Sequence, residues 1–301
     1  MSLLVTGSIG IDTVEAPSGK VENALGGSSV YFSCAASFFS DVRFVGVVGD
    51  DCPDGFLKPL HDNPRIDMTG LEVRAGSKTF RWHGRYHEDV NVRDTVAVDL
   101  NVLAEVGPSI PPAFRDSEYV FLANTHPGLQ MELLGQLSQP KLVVADTMDL
   151  WITTEQEALT RLVRHVHGLV LNDSEAKLMT GRPNIVAAGS EIARKVRSFV
   201  VVKKGEHGSL LFADGKVWPL PGYPAAEVVD PTGAGDCFAG AMMGCLADQG
   251  RMDPEALRRA IAYGTVVASI ELEDFSLNRL LAVTRRDVDA RLEEFRQMVV
   301  F

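Results

Sequence analysis

Asp236 stands directly behind Gly233, Ala234 and Gly235, in a stretch that runs EVVDPTGAGDCFAGAMMG from Glu227 to Gly244. The short β-prone run Glu227–Val229 and the Pro231 that follows lead into this turn. From Asp236 onward, Phe238, Met242 and Cys245 fall near helical spacing, so the turn is expected to open a helix. The first amides of a helix have no intrahelical partners and lie at the positive end of its dipole, and a glycine-rich entry leaves them open to an anion. A carboxylate there can cap the helix, or it can take the proton of a hydroxyl that attacks a bound phosphate. Taken alone, the turn is compatible with either role.

The rest of the chain narrows what such a turn could serve. Of its 301 residues, 46% are hydrophobic and 23% charged, the balance of a globular protein with one large core or two modest ones. A formal charge of −11 argues against nucleic acid or an anionic membrane as partner, because both select a basic face. Cys34, Cys52, Cys237 and Cys245 form no CxxC pair, so neither a zinc site nor a disulfide framework is expected, and a reducing cytoplasm suits the chain. The opening MSLLVTGSIG lacks a basic leader and reads as a first strand. No stretch approaches the roughly 20 apolar residues of a membrane span.

Apolar strands alternate with helical patterns along the sequence, which predicts an α/β protein with a mostly parallel sheet covered on both faces. Strands are expected at SLLVTGSI, VRFVGVVG, YVFLAN, KLVVADT, GLVLN, FVVVKKG and GSLLFAD. Helices are expected at SSVYFSCAASFF, GLQMELLGQL, TEQEALTRLVRHV, SEIARKVRS and DPEALRRAIAYGTVVASIE. Residues 64–100 break the pattern, alternating polar and apolar at period two as antiparallel strands exposed on one face would. With residues 11–27 they are expected to form a small antiparallel β lid inserted in a single domain spanning 1–301. In KTFRWHGRY, Phe80 and Trp82 need cover from an acceptor pocket or a second subunit, so a homodimer through the lid is expected.

Several chemistries lack their residues. Gly7 and Gly10 are followed by β-prone IDTVEA rather than a helix, so the dinucleotide fingerprint fails, and no GxxxxGK[ST], GxSxG or HExxH pattern occurs. His83, His87, Glu88 and Asp89 cluster in the lid, where polar loops collect such residues by chance.

Together with GSIGIDT (7–13), LGGSSVYFS (25–33), GVVGDD (46–51), NDSEAKLMTG (172–181) and KKGEHGSLL (203–211), the stretch DPTGAGDCFAG (230–240) is far more specific than any one of them. The sequence resembles the ribokinase-like, or PfkB, family of carbohydrate and nucleoside kinases, and the motifs occur in the family's order over nearly the whole chain. The resemblance implies a three-layer α/β/α fold and a phosphotransferase that moves the γ-phosphoryl group of ATP to a hydroxyl of a small-molecule acceptor. Asp236 then resembles the family's catalytic base, beside an anion hole of Gly233, Ala234 and Gly235. Asn172 and Glu175 match the N-x-x-E pattern that organises Mg²⁺ near the phosphates; by residue type alone they would end a strand and start a helix. Lys203, Gly205 and Gly208 match the loop that meets the nucleotide, although Lys203 stands where many members have threonine. Asp230 and Thr232 resemble positions that supply a K⁺ site in some members.

On the acceptor side, the resemblance assigns Asp12 to sugar hydroxyls and Gly26 and Gly27 to close backbone contact, with Arg81 among lid residues that face pocket or solvent. Two positions depart from the family. Tyr31 replaces the asparagine expected four residues after Gly27, and DTMDLW keeps Asp146 but loses the Asn and Arg of D-P-N-x-R. The phosphotransfer half is intact and the acceptor half altered. A sugar or polyol kinase leads; a nucleoside or cyclitol kinase follows, since an aromatic ring at 31 could stack on a ring-shaped acceptor. A silent ligand-binding relative would not need the retained Asp236.

Overall fold

The continuous apolar strands are explained by the computed structural model, which describes residues 2–300. Its strands are β1 (Leu3–Thr6), β2 (Gly10–Ala16), β3 (Gly19–Gly26), β4 (Val42–Gly49), β5 (Ile66–Arg74), β6 (Phe80–Tyr86), β7 (Arg93–Asp99), β8 (Tyr119–Leu122), β9 (Leu142–Asp146), β10 (Gly168–Asn172), β11 (Phe199–Lys203), β12 (Ser209–Ala213) and β13 (Lys216–Leu220). The helices are α1 (Ser28–Ser37), α2 (Lys58–His61), α3 (Pro127–Gly135), α4 (Asp149–Thr154), α5 (Gln156–His165), α6 (Asp173–Thr180), α7 (Ile185–Ala193), α8 (Ala234–Gln249), α9 (Pro254–Glu271), α10 (Asn278–Ala282) and α11 (Arg285–Val299).

Nine strands make one sheet in the order β13-β12-β11-β10-β9-β8-β1-β4-β5. Neighbours from β5 to β11 are parallel, and β12 and β13 close the far edge antiparallel. Side chains alternate across it. Leu3 and Val5 join the core under α1, α8, α9 and α11, whereas Leu4 joins the core under α3, α4, α5 and α7. Both faces are dry, so the inner strands are near-continuous apolar runs whose polar residues fall mainly at their ends.

A second sheet runs β3-β2-β6-β7, in which β2/β3 and β6/β7 are antiparallel pairs joined by a parallel β2/β6 contact. Residues 66–74 do not belong to it: they are β5, paired parallel with β4 at the edge of the large sheet. An edge strand exposed on one face has the same period-two pattern as a lid strand, and Gly70, where a Cβ would collide with the carbonyl of Phe44, lets β5 close onto β4.

Helix α8 approaches α1 closely enough to require glycine. A Cβ on Gly240 would overlap the carbonyl oxygen of Phe32, and one on Gly244 would lie 2.8 Å from that of Ala36. All ten residues of α1 are buried in consequence. The expected helix TEQEALTRLVRHV is observed as α5 from Gln156 onward, and the short helix α4, which was not expected, precedes it across a break at Glu155, which has φ −126° and ψ 38°. The helix expected at SEIARKVRS begins earlier, where Asn184 caps α7 by accepting from the amide of Ala187 at 2.9 Å.

Candidate active site

The strand ends gather the chemistry. Asp146 closes β9, Asn172 closes β10 and Lys203 closes β11, with Asn172 and Lys203 side by side in register. This is the carboxyl edge of a parallel sheet, where crevices for ligands form. The glycine turn faces the same edge: Gly233 takes φ 89°, a conformation that favours glycine, and occupies the cap position of α8. Asp236 is therefore the third residue of the helix and not its cap. No side chain caps α8, so the carboxylate remains available for other work.

A Cβ on Gly235 would lie 2.6 Å from Lys203 Nζ, which places the ammonium directly against the first amides of α8. Burial pushes Asp236 up to about 6, and the charges of Lys203 and Arg93 act against that rise. Glu175 is pushed up to about 7 by burial, again opposed by Lys203. Asp146 stands well above the usual carboxylate range because it is buried and faces the charge of Asp236, and its Oδ1 has no partner. These acids outnumber the lysine beside them.

Asn172 and Glu175 form a reciprocal capping box: the Asn172 amide donates to Glu175 Oε2 at 2.7 Å and the Glu175 amide donates to Asn172 Oδ1 at 2.8 Å. This is the helix-start role that their residue types suggest, and it fixes the carboxylate beside Lys203. A magnesium ion fits the acidic excess at Glu175 and Asp146. Among the described residues no three acidic, histidine or cysteine side chains converge on one point.

Asp12 is 4% exposed and lies against two glycines. A Cβ on Gly26 would collide with its carboxylate, and one on Gly10 would lie 2.7 Å from Oδ1, which has no partner. Burial, with the charges of Asp230 and Asp236, pushes Asp12 up to about 8. An acceptor hydroxyl is the kind of donor this orphaned oxygen lacks. Gly27 takes φ 103° at the start of α1.

Two expected acceptor residues are placed otherwise. The Tyr31 ring is 2% exposed and sits in the core, where a Cβ on Gly233 would come 2.5 Å from it; it supports the turn and offers no face for stacking. Arg81 donates to Asp51 Oδ2 at 3.1 Å, and Asp51 also accepts from the Thr79 amide at 2.6 Å, so this arginine is tied to the loop after β4. Asp230 is wholly buried, accepting from the Thr232 amide at 2.9 Å and the Ser276 amide at 3.3 Å. His83 pairs with Glu15 and His87 with Asp94, which accounts for the histidine cluster.

The sequence gives no signal for three further groups. Glu271 at the end of α9 is wholly buried with neither carboxylate oxygen partnered, and burial and the charge of Asp230 raise it far above the ordinary range. Tyr86, the last residue of β6, accepts at its hydroxyl from Thr232 Oγ1 at 3.1 Å, tying lid to turn. A cavity of about 620 Å³ opens beside Asn172, Lys203, Gly205, Gly208 and Phe238, and lid residues Val90 and Asn91 help to line it.

With this geometry in view, the chain can be compared with known proteins. The model of the pfkB family carbohydrate kinases matches residues 128–279. The cytidine kinase of Thermococcus kodakarensis is 30% identical over 253 residues, covering 81% of this chain and 87% of that protein. The aminoimidazole riboside kinase of Salmonella typhimurium is 23% identical over 271 residues, covering 86% of this chain and 85% of that one. Among solved structures, the Burkholderia thailandensis nucleoside kinase in complex with inosine superposes with a TM-score of 0.76 at 20% identity, covering 97% of this chain and 98% of that one. The fold is thus the three-layer α/β/α ribokinase-like one. No helix among the described residues is long and apolar enough to cross a membrane.

Proposed function

The chain belongs to the pfkB family of carbohydrate kinases, and from that membership we propose that Asp236 is the base that activates a hydroxyl of a sugar or sugar-like acceptor for attack on ATP. The observation that carries this is the Asp236 carboxylate, in the first turn of α8, uncommitted to capping and held beside the glycine turn and the Lys203 ammonium. Asp12 accepts a hydrogen bond from the acceptor and orients it. Asp236 takes the proton as the acceptor oxygen bonds to the γ-phosphorus and the bond to the ADP oxygen breaks. The amides of Gly233, Ala234 and Gly235 hold the equatorial oxygens, and Lys203 neutralises their charge. The nucleotide occupies the cavity beside Asn172, Gly205 and Gly208.

Glu175 and Asp146 would hold a magnesium ion, which would supply charge neutralisation for the transferred group. Buried Asp230 and the orphaned oxygens of Glu271 mark where a monovalent cation such as K⁺ would be favoured. A nucleoside acceptor is a second reading, supported by the relatives named for cytidine and aminoimidazole riboside. A panel of ribose, fructose, cytidine and inosine, scored by acceptor-dependent ADP release, separates the two readings. ADP release with none of these, nor with cyclitols, would count against the kinase reading. In the active pair, Asp236→Asn keeps shape but removes the base, so turnover falls on the order of 10²- to 10⁴-fold with ATP still bound. Turnover within about threefold of wild type would overturn the assignment of Asp236.

A further inference from the structure

The lid reaches the nucleotide cavity. Between β6 and β7 the chain turns at Asp89, where the amides of Asn91 and Val92 are held at 3.0 Å and 2.8 Å, and Asn91 Oδ1 comes to 3.0 Å from the position a Cβ on Gly205 would take. The foot of this loop is fixed on one side by the Tyr86 hydroxyl, bonded to Thr232 in the turn that leads to the anion hole. Arg93, the first residue of β7, lies opposite Tyr86 in register. Arg81 and Arg85 on β6 are engaged by Asp51 and Glu15, whereas the Arg93 guanidinium rests on the face of Trp82, 5.3 Å from the ring centroid, with no ion pair among the described residues. Gly84 makes room for that ring, because a Cβ there would overlap it.

We propose that Arg93 is a phosphate-contacting residue, which with nucleotide bound flanks the γ-phosphoryl group from the lid while Lys203 flanks it from the sheet. The inference rests on the kinase reading. A triphosphate entering this edge adds its charge to Asp146, Glu175 and Asp236, so a further cation beside Lys203 and any bound magnesium is favoured. Arg93 is carried to this edge by its pairing with Tyr86, whose hydroxyl is bonded to Thr232 in the turn that leads to Gly233. A guanidinium presents a planar fork of donors that matches phosphate oxygens, and stacking on an aromatic ring holds it in place. The lid thereby couples closure over the acceptor to neutralisation of the transferred group, so that charge compensation is complete only in the closed form.

The test uses the full chain and two probes that differ by one phosphate, the Mg²⁺ complexes of ADP and of β,γ-imido-ATP, titrated calorimetrically. Arg93→Met should weaken β,γ-imido-ATP by about tenfold or more while ADP affinity stays within about twofold, and Arg93→Lys should fall between Met and wild type. Equal loss for both nucleotides, or no loss for either, would overturn the role of Arg93 and leave the kinase reading standing. Wild-type protein that binds neither nucleotide would instead overturn the kinase reading. Arg93 is exposed on a strand surface, so the variants should fold; should Arg93→Met melt early, the same comparison on Arg93→Lys decides.

Discussion

At the scale of single residues, the site is an arrangement of buried acids restrained by two cations, and its pH dependence follows. Asp236 must be ionised to accept a proton, so turnover should fall as pH drops through about 6, where the buried carboxyl protonates. Lys203 favours the ionised form. Lys203→Met removes that help, so the acidic limb of the kcat profile should move to higher pH, and an unshifted limb would separate Lys203 from the base. Asp12 gives the opposite kind of test. Its folded value of about 8 against an ordinary 3.8 means that the folded state binds the proton more tightly. Its contribution to stability is full below 3.8 and is lost as pH rises towards 8. Asp12→Asn abolishes this loss, so the unliganded variant should be more stable than wild type by roughly 1 to 3 kcal/mol at pH 8, while acceptor affinity falls about a hundredfold. Denaturant titration at pH 5 and pH 8 checks the first part, and acceptor binding the second. Asp236 stood out in the sequence because it follows a glycine turn at a helix start, and Asp12 because GSIGIDT resembles the family's motif. Arg93 and Glu271 did not, since only the folded chain brings a lid strand and a helix end to the same edge.

At the scale of elements, local pattern served well where burial was complete and poorly where it was partial. The inner strands β8, β9, β10 and β11 are read directly from their apolar runs. β5 is not, because an edge strand and a lid strand have the same alternation. The C-terminal helix α11 went unread although it carries a capping box between Thr284 and Asp287; it buries only Val288 and Phe295, too sparse a stripe to stand out. The α1/α8 contact is a packing fact hidden in plain composition. Alanine normally favours a helix over glycine by about 1 kcal/mol. At Gly240 the added methyl would overlap backbone, which cannot move aside as a side chain can, so Gly240→Ala should destabilise by about 1 to 3 kcal/mol instead. A gain in stability on denaturant titration would show that the two helices separate more easily than this contact implies.

At the scale of the whole molecule, the second sheet raises the question of what covers it. The large aromatics of β6 find partial cover within the chain: Phe80 packs beside Gly10, and Trp82 lies under the Arg93 guanidinium. What remains is β7, exposed along its whole length, with Val96 and Val98 at 46% and 50% exposure and, two residues apart, on the same face. An edge strand with apolar side chains in water invites pairing with another chain. A second copy suits the site's logic, because sheet meeting sheet would steady the element that carries Tyr86 and Arg93 onto the phosphates. The homodimer expected from the sequence is therefore proposed to form through β7 and its neighbours. Sedimentation should show a dimer at micromolar concentration, and Val98→Asp, which places a charge on that exposed face without touching the core, should dissociate it and lower turnover together. A wild-type monomer with full activity would leave β7 an exposed edge and the lid a device of the single chain.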